Sequence, residues 1–65
     1  MKVSYDKATD IVRVLFSEAG IEDSDEVRPG VIVDFDAGGG VVGLEILDAS
    51  KRMPNPQVVE VDVAA

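Results

Sequence analysis

The amino-acid sequence predicts an α+β, mostly β fold: a small antiparallel sheet of two hairpins plus a C-terminal strand, with one short helix. Apolar and polar residues alternate along most of the chain, and valine and isoleucine dominate the alternating runs, as is typical of strands. Clusters of Gly, Asp and Pro separate these runs. With 65 residues the chain is expected to form one domain, residues 1–65.

The first hairpin is predicted over residues 2–17. The runs "KVSY" and "DIVRVLFS" both alternate, and the turn-rich segment "DKATD" lies between them. Asp6 and Asp10 are suited to accept hydrogen bonds from backbone amides of this turn. Both aspartates are therefore interpreted as structural.

A second hairpin is predicted from "VIVDF" and "VVGLEIL", joined by the turn "DAGGG". In such a hairpin Asp34 lies opposite about Gly43, and Asp36 opens the turn by accepting backbone hydrogen bonds. The preceding residues 17–30 contain an acidic cluster and the pair Pro29-Gly30. They break any regular period and are predicted to form a loop.

The segment "LDASKRMP" predicts the short helix. Asp48 is suited to cap the amides of Ser50 or Lys51, and Pro54 prevents the helix from continuing. The alternating run "QVVEVDV", residues 57–63, then predicts a fifth strand at a sheet edge.

Composition excludes several classes of function. Thirteen acidic and six basic residues give a net charge of −7, which opposes binding to nucleic acid or to an anionic membrane surface. Cysteine and histidine are absent, which removes thiolate and imidazole chemistry, and no cofactor is expected. The chain carries no signal-peptide pattern and no apolar run of the roughly 20 residues that cross a bilayer. A cytoplasmic protein is expected.

Residues 34–45, "DFDAGGGVVGLE", nearly match a calcium-binding EF-hand loop. Asp34, Asp36 and Glu45 occupy its first, third and twelfth positions. However, the fifth position is Gly38, which has no side-chain oxygen, and the flanking segments are predicted strands rather than helices. A solvated Asp34 and Glu45 around a glycine turn is the favoured interpretation, and a weak calcium-binding module is retained as an alternative.

Catalysis is not expected. The predicted sheet carries several carboxylates, but a chain of this length has little material left to wall a pocket that would raise the pKa of one of them. Ser50 and Lys51 are adjacent on the predicted helix and do not face each other. The acidic run "EDSDE", residues 22–26, is interpreted as a solvated loop that is suited to attract a basic protein partner.

Several apolar residues are predicted to point away from the main core. They are Ile11, Leu15, Ile32, Val41 and Leu47. Either the helix and the fifth strand cover them, or a second copy of the chain does. We predict a symmetric homodimer with these residues at its interface.

The sequence resembles an uncharacterised prokaryotic family called domain of unknown function 2283. The resemblance lies in "YDKATDIVRVLF" and "GVIVDFDAGGGVVGLEILDASKR", and so spans nearly the whole chain. The residues that match the family pattern are Tyr5, Asp6, Asp10, Gly30, Asp34, Asp36, Gly43, Glu45, Asp48, Ala49 and Ser50. Phe35 replaces the usual tyrosine, Gly38 to Gly40 replace an Asp-Gly-Asn turn, and the C-terminal strand varies in the family.

The resemblance implies a small β-rich domain with a short helix and brings no established activity. It also makes an antitoxin-like role conceivable, in which the acidic chain neutralises a small basic toxin. The predicted function is a small non-catalytic module for protein interaction or homo-oligomerisation. An antitoxin-like acidic partner and a weak calcium-binding module are the alternatives.

Overall fold

A computed structural model describes residues 1–57, which form a five-stranded antiparallel sheet and one short helix. The elements are β1 (Lys2–Asp6), β2 (Ile11–Leu15), β3 (Asp23–Arg28), β4 (Val31–Phe35), β5 (Val41–Ile46) and α1 (Ala49–Arg52). The strand order is β1-β2-β5-β4-β3. The predicted fold class, a mostly β chain with one small antiparallel sheet and one short helix, is confirmed. The predicted fifth strand at 57–63 falls on residues beyond those described, apart from Gln57.

Both predicted hairpins are present. β1 pairs with β2, and β4 pairs with β5 so that Asp34 lies opposite Gly43, as the sequence predicts. In the β4–β5 turn, Oδ1 of Asp36 accepts hydrogen bonds from the amides of Gly38 at 2.9 Å and Gly40 at 2.8 Å. Gly39 has a φ of 83°, which a residue with a side chain rarely adopts.

The prediction of a loop over residues 17–30 is wrong for its second half. Residues 23–28 form β3, which pairs with β4 at the edge of the sheet. Its sequence "DSDEVR" has low strand propensity. It also lacks apolar alternation, since all six of its residues are exposed and neither side of the strand packs into a core. Backbone pairing to β4 and a side-chain hydrogen bond from Ser24 to Asp34 hold this strand in the sheet, and the side-chain pattern of the sequence carries no sign of either. A register shift between Glu26 and Arg28 marks a bulge near its end.

The strand registers sort the side chains onto two faces. We call the first the core face; it carries Val3, Tyr5, Val12, Val14, Val31, Val33, Leu44 and Ile46. We call the second the opposite face; it carries Ile11, Arg13, Leu15, Ile32, Asp34, Gly43 and Glu45. Among the described apolar residues, only Val12, Val42 and Ala49 are fully buried. Most other apolar strand residues are half-buried.

Helix α1 lies across one end of the sheet, and Asp10 caps it rather than Asp48. Asp48 adopts a left-handed conformation with a φ of 52°, and its side chain makes no capping hydrogen bond, so the predicted role of Asp48 is wrong. Oδ1 of Asp10 accepts the Ser50 amide at 3.0 Å, and its Oδ2 accepts the Ser50 hydroxyl at 2.7 Å. At the other end of the helix, Arg52 donates to the carbonyl of Pro29.

Asp10 accepts hydrogen bonds from four donors, one in the first hairpin and three at the start of the helix. The Tyr5 hydroxyl donates to its Oδ1 at 2.7 Å, and the amide of Ala49 donates to its backbone carbonyl at 3.0 Å. The hydrogen bond from Tyr5, followed by those from Ser50, holds the pKa of the Asp10 carboxyl below its ordinary value. The same bond raises the pKa of Tyr5. Asp10 is thus structural, as predicted, but its partners include Ser50, which lies 40 residues away and outside its own turn.

We predict that the Tyr5–Asp10 bond makes stability depend on pH. Because the folded pKa of Asp10 lies below the unfolded one, this stabilisation is fully present above the unfolded carboxyl pKa of about 4 and is lost as the pH falls through the folded pKa. Tyr5→Phe removes the hydroxyl and keeps the ring. In urea unfolding between pH 2 and 7, the free energy of unfolding of this variant should fall furthest below that of the native chain near neutrality. The difference should shrink in acid.

The Asp10→Asn background supplies the control. Without a titrating carboxyl at this position, the effect of Tyr5→Phe should no longer vary with pH. If Tyr5→Phe lowered the free energy of unfolding equally at every pH in the chain that keeps Asp10, the bond would not be linked to protonation of Asp10.

Candidate interaction surface

The opposite face is built from two cross-strand rows. The first row runs Leu15, Gly43, Asp34, Ser24 across β2, β5, β4 and β3, and the second runs Arg13, Glu45, Ile32, Glu26. Directly opposed side chains in such rows lie close enough to contact one another. The face therefore combines aliphatic residues with an ion pair and a carboxylate near its centre.

Arg13 and Glu45 form the ion pair on this face. Nη2 of Arg13 lies 2.7 Å from Oε1 of Glu45, and the two side chains are 52% and 19% exposed. The hydrogen bond and charge of Glu45 raise the pKa of Arg13. An ion pair this accessible to water contributes at most about 1 kcal/mol to stability. Its main effect is to neutralise the centre of the face, and the predicted solvated position of Glu45 is replaced by a paired one.

Gly43 lies where two strands approach each other closely. A Cβ atom at this position would collide with the carbonyl oxygen of Val14 and would lie 3.2 Å from Cδ2 of Leu15. The Leu15 side chain therefore extends over the space that a side chain at Gly43 would occupy. Asp34 is the partner of Gly43 on β4.

Asp34 lies on the opposite face, as predicted, but it is buried, so the prediction that it is solvated is wrong. The residue is only 1% exposed, and Oδ1 accepts a hydrogen bond of 2.6 Å from the hydroxyl of Ser24 on β3. Its Oδ2 is buried without a hydrogen-bond partner in the described structure. The sequence prediction failed because it had no β3: the strand taken for a loop covers this carboxylate and supplies its donor.

The three candidate calcium ligands are held in different surroundings. Asp34 bonds to Ser24, Asp36 bonds to the glycine amides of the turn, and Glu45 pairs with Arg13. Within residues 1–57, no three carboxylates converge in a way that would hold a metal ion. The predicted structural role of Asp36 in the turn is confirmed.

The predicted interface residues fall into two groups. Ile11, Leu15 and Ile32 share the opposite face and are half-buried. Val41 lies at the turn end of β5, opposite Phe35, and is 48% exposed. Leu47 follows β5, is half-buried, and donates its amide to the carbonyl of Gly30. We refer to Ile11, Leu15 and Ile32 as the aliphatic patch.

The contacts of Ser50 are those of a structural residue. Its hydroxyl donates a hydrogen bond to Asp10, the arrangement that a nucleophile and its general base would also have. However, the lowered pKa of Asp10 makes that carboxylate a weak base, and both of its oxygens are occupied by Tyr5 and Ser50. This arrangement stabilises the helix start and is poorly suited to activating a hydroxyl.

The acidic segment at 22–26 lies along an edge strand. Asp23, Asp25 and Glu26 belong to β3, and Glu22 precedes it with its amide bonded to the carbonyl of Phe35 at 2.8 Å. The pair Pro29-Gly30, where Gly30 has a φ of 77°, forms the turn into β4. A tight turn directly before a strand is the one local signal in the sequence that indicates this third hairpin.

We predict that Ser24 stabilises the chain by donating a hydrogen bond to the buried carboxylate of Asp34. Ser24→Ala leaves a buried carboxylate with no hydrogen bond, so the free energy of unfolding should fall by about 1–3 kcal/mol. In an Asp34→Ala background the same substitution should change it by less than about 0.5 kcal/mol. Denaturant unfolding of the four chains measures this coupling.

Thr9→Ala is the control for this double-mutant cycle, because Thr9 is an exposed hydroxyl residue in the turn between β1 and β2. It should change stability by less than about 0.5 kcal/mol. Equal losses from Ser24→Ala with and without Asp34 would contradict the assigned bond.

Comparisons with known proteins place the chain by family only. The described part of the chain contains no helix long and apolar enough to cross a membrane. No curated protein and no solved structure matches the sequence. Residues 2–50 match the model of the family described as protein of unknown function (DUF2283). Since this match covers well over half of the chain, the protein belongs to the DUF2283 family.

Proposed function

We propose that this chain is a small cytoplasmic, non-catalytic module whose function is to associate with a second copy of itself. The observation that supports this proposal is the incomplete burial of the sheet. Among the described apolar residues only Val12, Val42 and Ala49 are fully buried, while apolar side chains on both faces of the sheet remain accessible. A second copy packed on the sheet would remove much of this surface from water.

The opposite face has the size and composition of an interface. The molecule is a slab of 34 × 33 × 19 Å, so its broad side exceeds the roughly 800 Å² that each partner buries in an interface of standard size. The aliphatic patch surrounds the neutralised Arg13–Glu45 pair, and the charged segment at 22–26 lies at the rim. The aliphatic side chains supply apolar area beside the ion pair, and a charged rim is the common arrangement in protein interfaces.

The absence of catalysis is part of the proposal. The most reactive arrangement in the described residues, Ser50 with Asp10, is explained by helix capping. The buried Asp34 accepts a hydrogen bond from Ser24 and is covered by β3. No observation on the described residues supports the calcium alternative.

We predict that Ile32→Lys weakens self-association at least about ten-fold. The new ammonium group would lie between Glu45 and Glu26, its neighbours in the row, so the single chain should still fold. In a dimer formed through this face, the charge would be buried against the second copy. Sedimentation velocity over a concentration series gives the dissociation constant.

Val27→Lys is the control, because Val27 is a 48% exposed apolar residue on β3 and the substitution changes the net charge equally. It should leave the dissociation constant within about three-fold of the native value. A native chain that stays monomeric up to hundreds of micromolar would contradict self-association itself. Equal effects of the two lysines would contradict the assignment of this face.

A second candidate function is an antitoxin-like one, in which the chain binds a small basic protein. The exposed acidic edge of β3 supports it, since all six residues of that strand are exposed and three of them are acidic. Complementary charge would speed the encounter with such a partner, and the strand edge would receive an extended segment of it.

Charge reversal on β3 tests the antitoxin-like function. Asp25→Lys should weaken a complex with a basic partner at least about ten-fold and flatten its dependence on salt, whereas Glu18→Lys, an exposed acid outside β3, should have a smaller effect. Fluorescence polarisation of a labelled lysine-rich peptide, titrated with each chain over a salt series, measures both the affinity and its salt dependence. Equal effects of the two variants would contradict binding at β3.

A further inference from the structure

We propose that two copies of this chain pair through their β1 strands, antiparallel and two-fold symmetric about Ser4, so that the five described strands of each copy join in one continuous sheet. This inference rests on the proposed self-association and adds a contact at the sheet edge to the one through the aliphatic patch. Within residues 1–57 β1 pairs only with β2, so one side of its backbone presents unpaired amide and carbonyl groups. A second strand satisfies these groups.

The sequence of β1 is complementary to its own reverse. With Ser4 opposite Ser4 of the second copy, Lys2 faces Asp6 at both ends, and Val3 faces Tyr5. Opposite charges, an aromatic residue with a β-branched residue, and two hydroxyls are all favourable cross-strand pairs. Every one of the five positions of β1 therefore meets a suitable partner.

Other registers are poorer. A two-fold axis perpendicular to the sheet keeps each face on its own side, so the register shifts only in steps of two residues. Centring the pair on Val3 or on Tyr5 shortens it to three residues and separates Lys2 from Asp6. The register about Ser4 is the one that pairs the whole strand.

The exposure of β1 agrees with this pairing. Lys2, Ser4 and Asp6 are exposed on the opposite face, while Val3 and Tyr5 are half-buried on the core face. Among residues 1–57, Asp6 uses only Oδ1, which accepts a hydrogen bond of 2.9 Å from the amide of Ala8, so the proposed contact with Lys2 of the second copy uses its other oxygen. On the other face, the Val3–Tyr5 contacts would join the core faces of the two copies into one apolar surface.

The other edge of the sheet is unsuited to the same contact. β3 carries Asp23, Asp25 and Glu26, and an antiparallel pair of β3 strands would set Asp25 against itself or against Asp23. The bulge between Glu26 and Arg28 further interrupts its edge. Pairing through β1 also leaves the aliphatic patch free, so both contacts can exist in one assembly with perpendicular two-fold axes.

Charge reversal tests the proposed pairing. Lys2→Glu would set two like-charged pairs across the interface and should raise the dissociation constant at least about ten-fold in sedimentation velocity. Lys7→Glu makes the same change in net charge at an exposed turn position next to β1 and should stay within about three-fold of the native chain. The double substitution Lys2→Glu with Asp6→Lys restores opposite charges and should recover native affinity.

A single introduced thiol tests the register. The chain has no cysteine, and facing residues of an antiparallel pair have Cα atoms about 4.5–5.5 Å apart, within the range of a disulfide. Oxidised Ser4→Cys should form a covalent dimer that retains the sedimentation coefficient of the native dimer. Ala8→Cys, exposed in the following turn, should not form this dimer at the same protein concentration.

The outcomes separate this inference from the proposed function. A native chain that is monomeric at all concentrations overturns both. A native dimer on which Lys2→Glu and Lys7→Glu act equally, and in which Ser4→Cys forms no more disulfide than Ala8→Cys, overturns the β1 pairing and leaves self-association through the aliphatic patch standing.

Discussion

A single β-sheet has two faces, and the described part of this chain has one four-residue helix with which to cover them. That helix lies across an end of the sheet, tied to Asp10 on one side and to Pro29 on the other. The strands are pleated, so each presents side chains to both faces, and aliphatic residues occur on both. The half-buried state of most apolar residues follows directly from this geometry. The apolar area that remains accessible is what makes the sheet surface a candidate binding site.

The centre of the sheet depends on β5, which joins the two hairpins by pairing with β2 and β4. Gly43 allows the close approach of β5 to the backbone of Val14, and the space above it is filled by Leu15 and flanked by Asp34. Burying a carboxylate beside this contact is costly unless it is hydrogen-bonded, and Ser24 on the edge strand provides that bond. The edge strand β3 is thus connected to the centre of the sheet by a side chain as well as by its backbone.

The two edges of the sheet differ in electrostatic character. β3 carries three acids in its first four residues and is interrupted by a bulge, both of which discourage pairing with another strand of the same kind. β1 carries one base and one acid at its opposite ends. A sheet with one repelling edge and one self-complementary edge favours a closed pair of chains over an open array, because only one edge accepts a second copy.

The amino-acid sequence by itself determined the two hairpins, the glycine turn opened by Asp36 and the position of the helix, because each depends on neighbours a few residues apart and on local alternation. Only the tertiary structure decided the rest. β3 exists through backbone pairing to β4, a contact that leaves no mark on side chains exposed on both faces. The burial of Asp34 and the capping of the helix by Asp10 arise from partners 10 and 40 residues away, and local propensity carries no information about such distant donors.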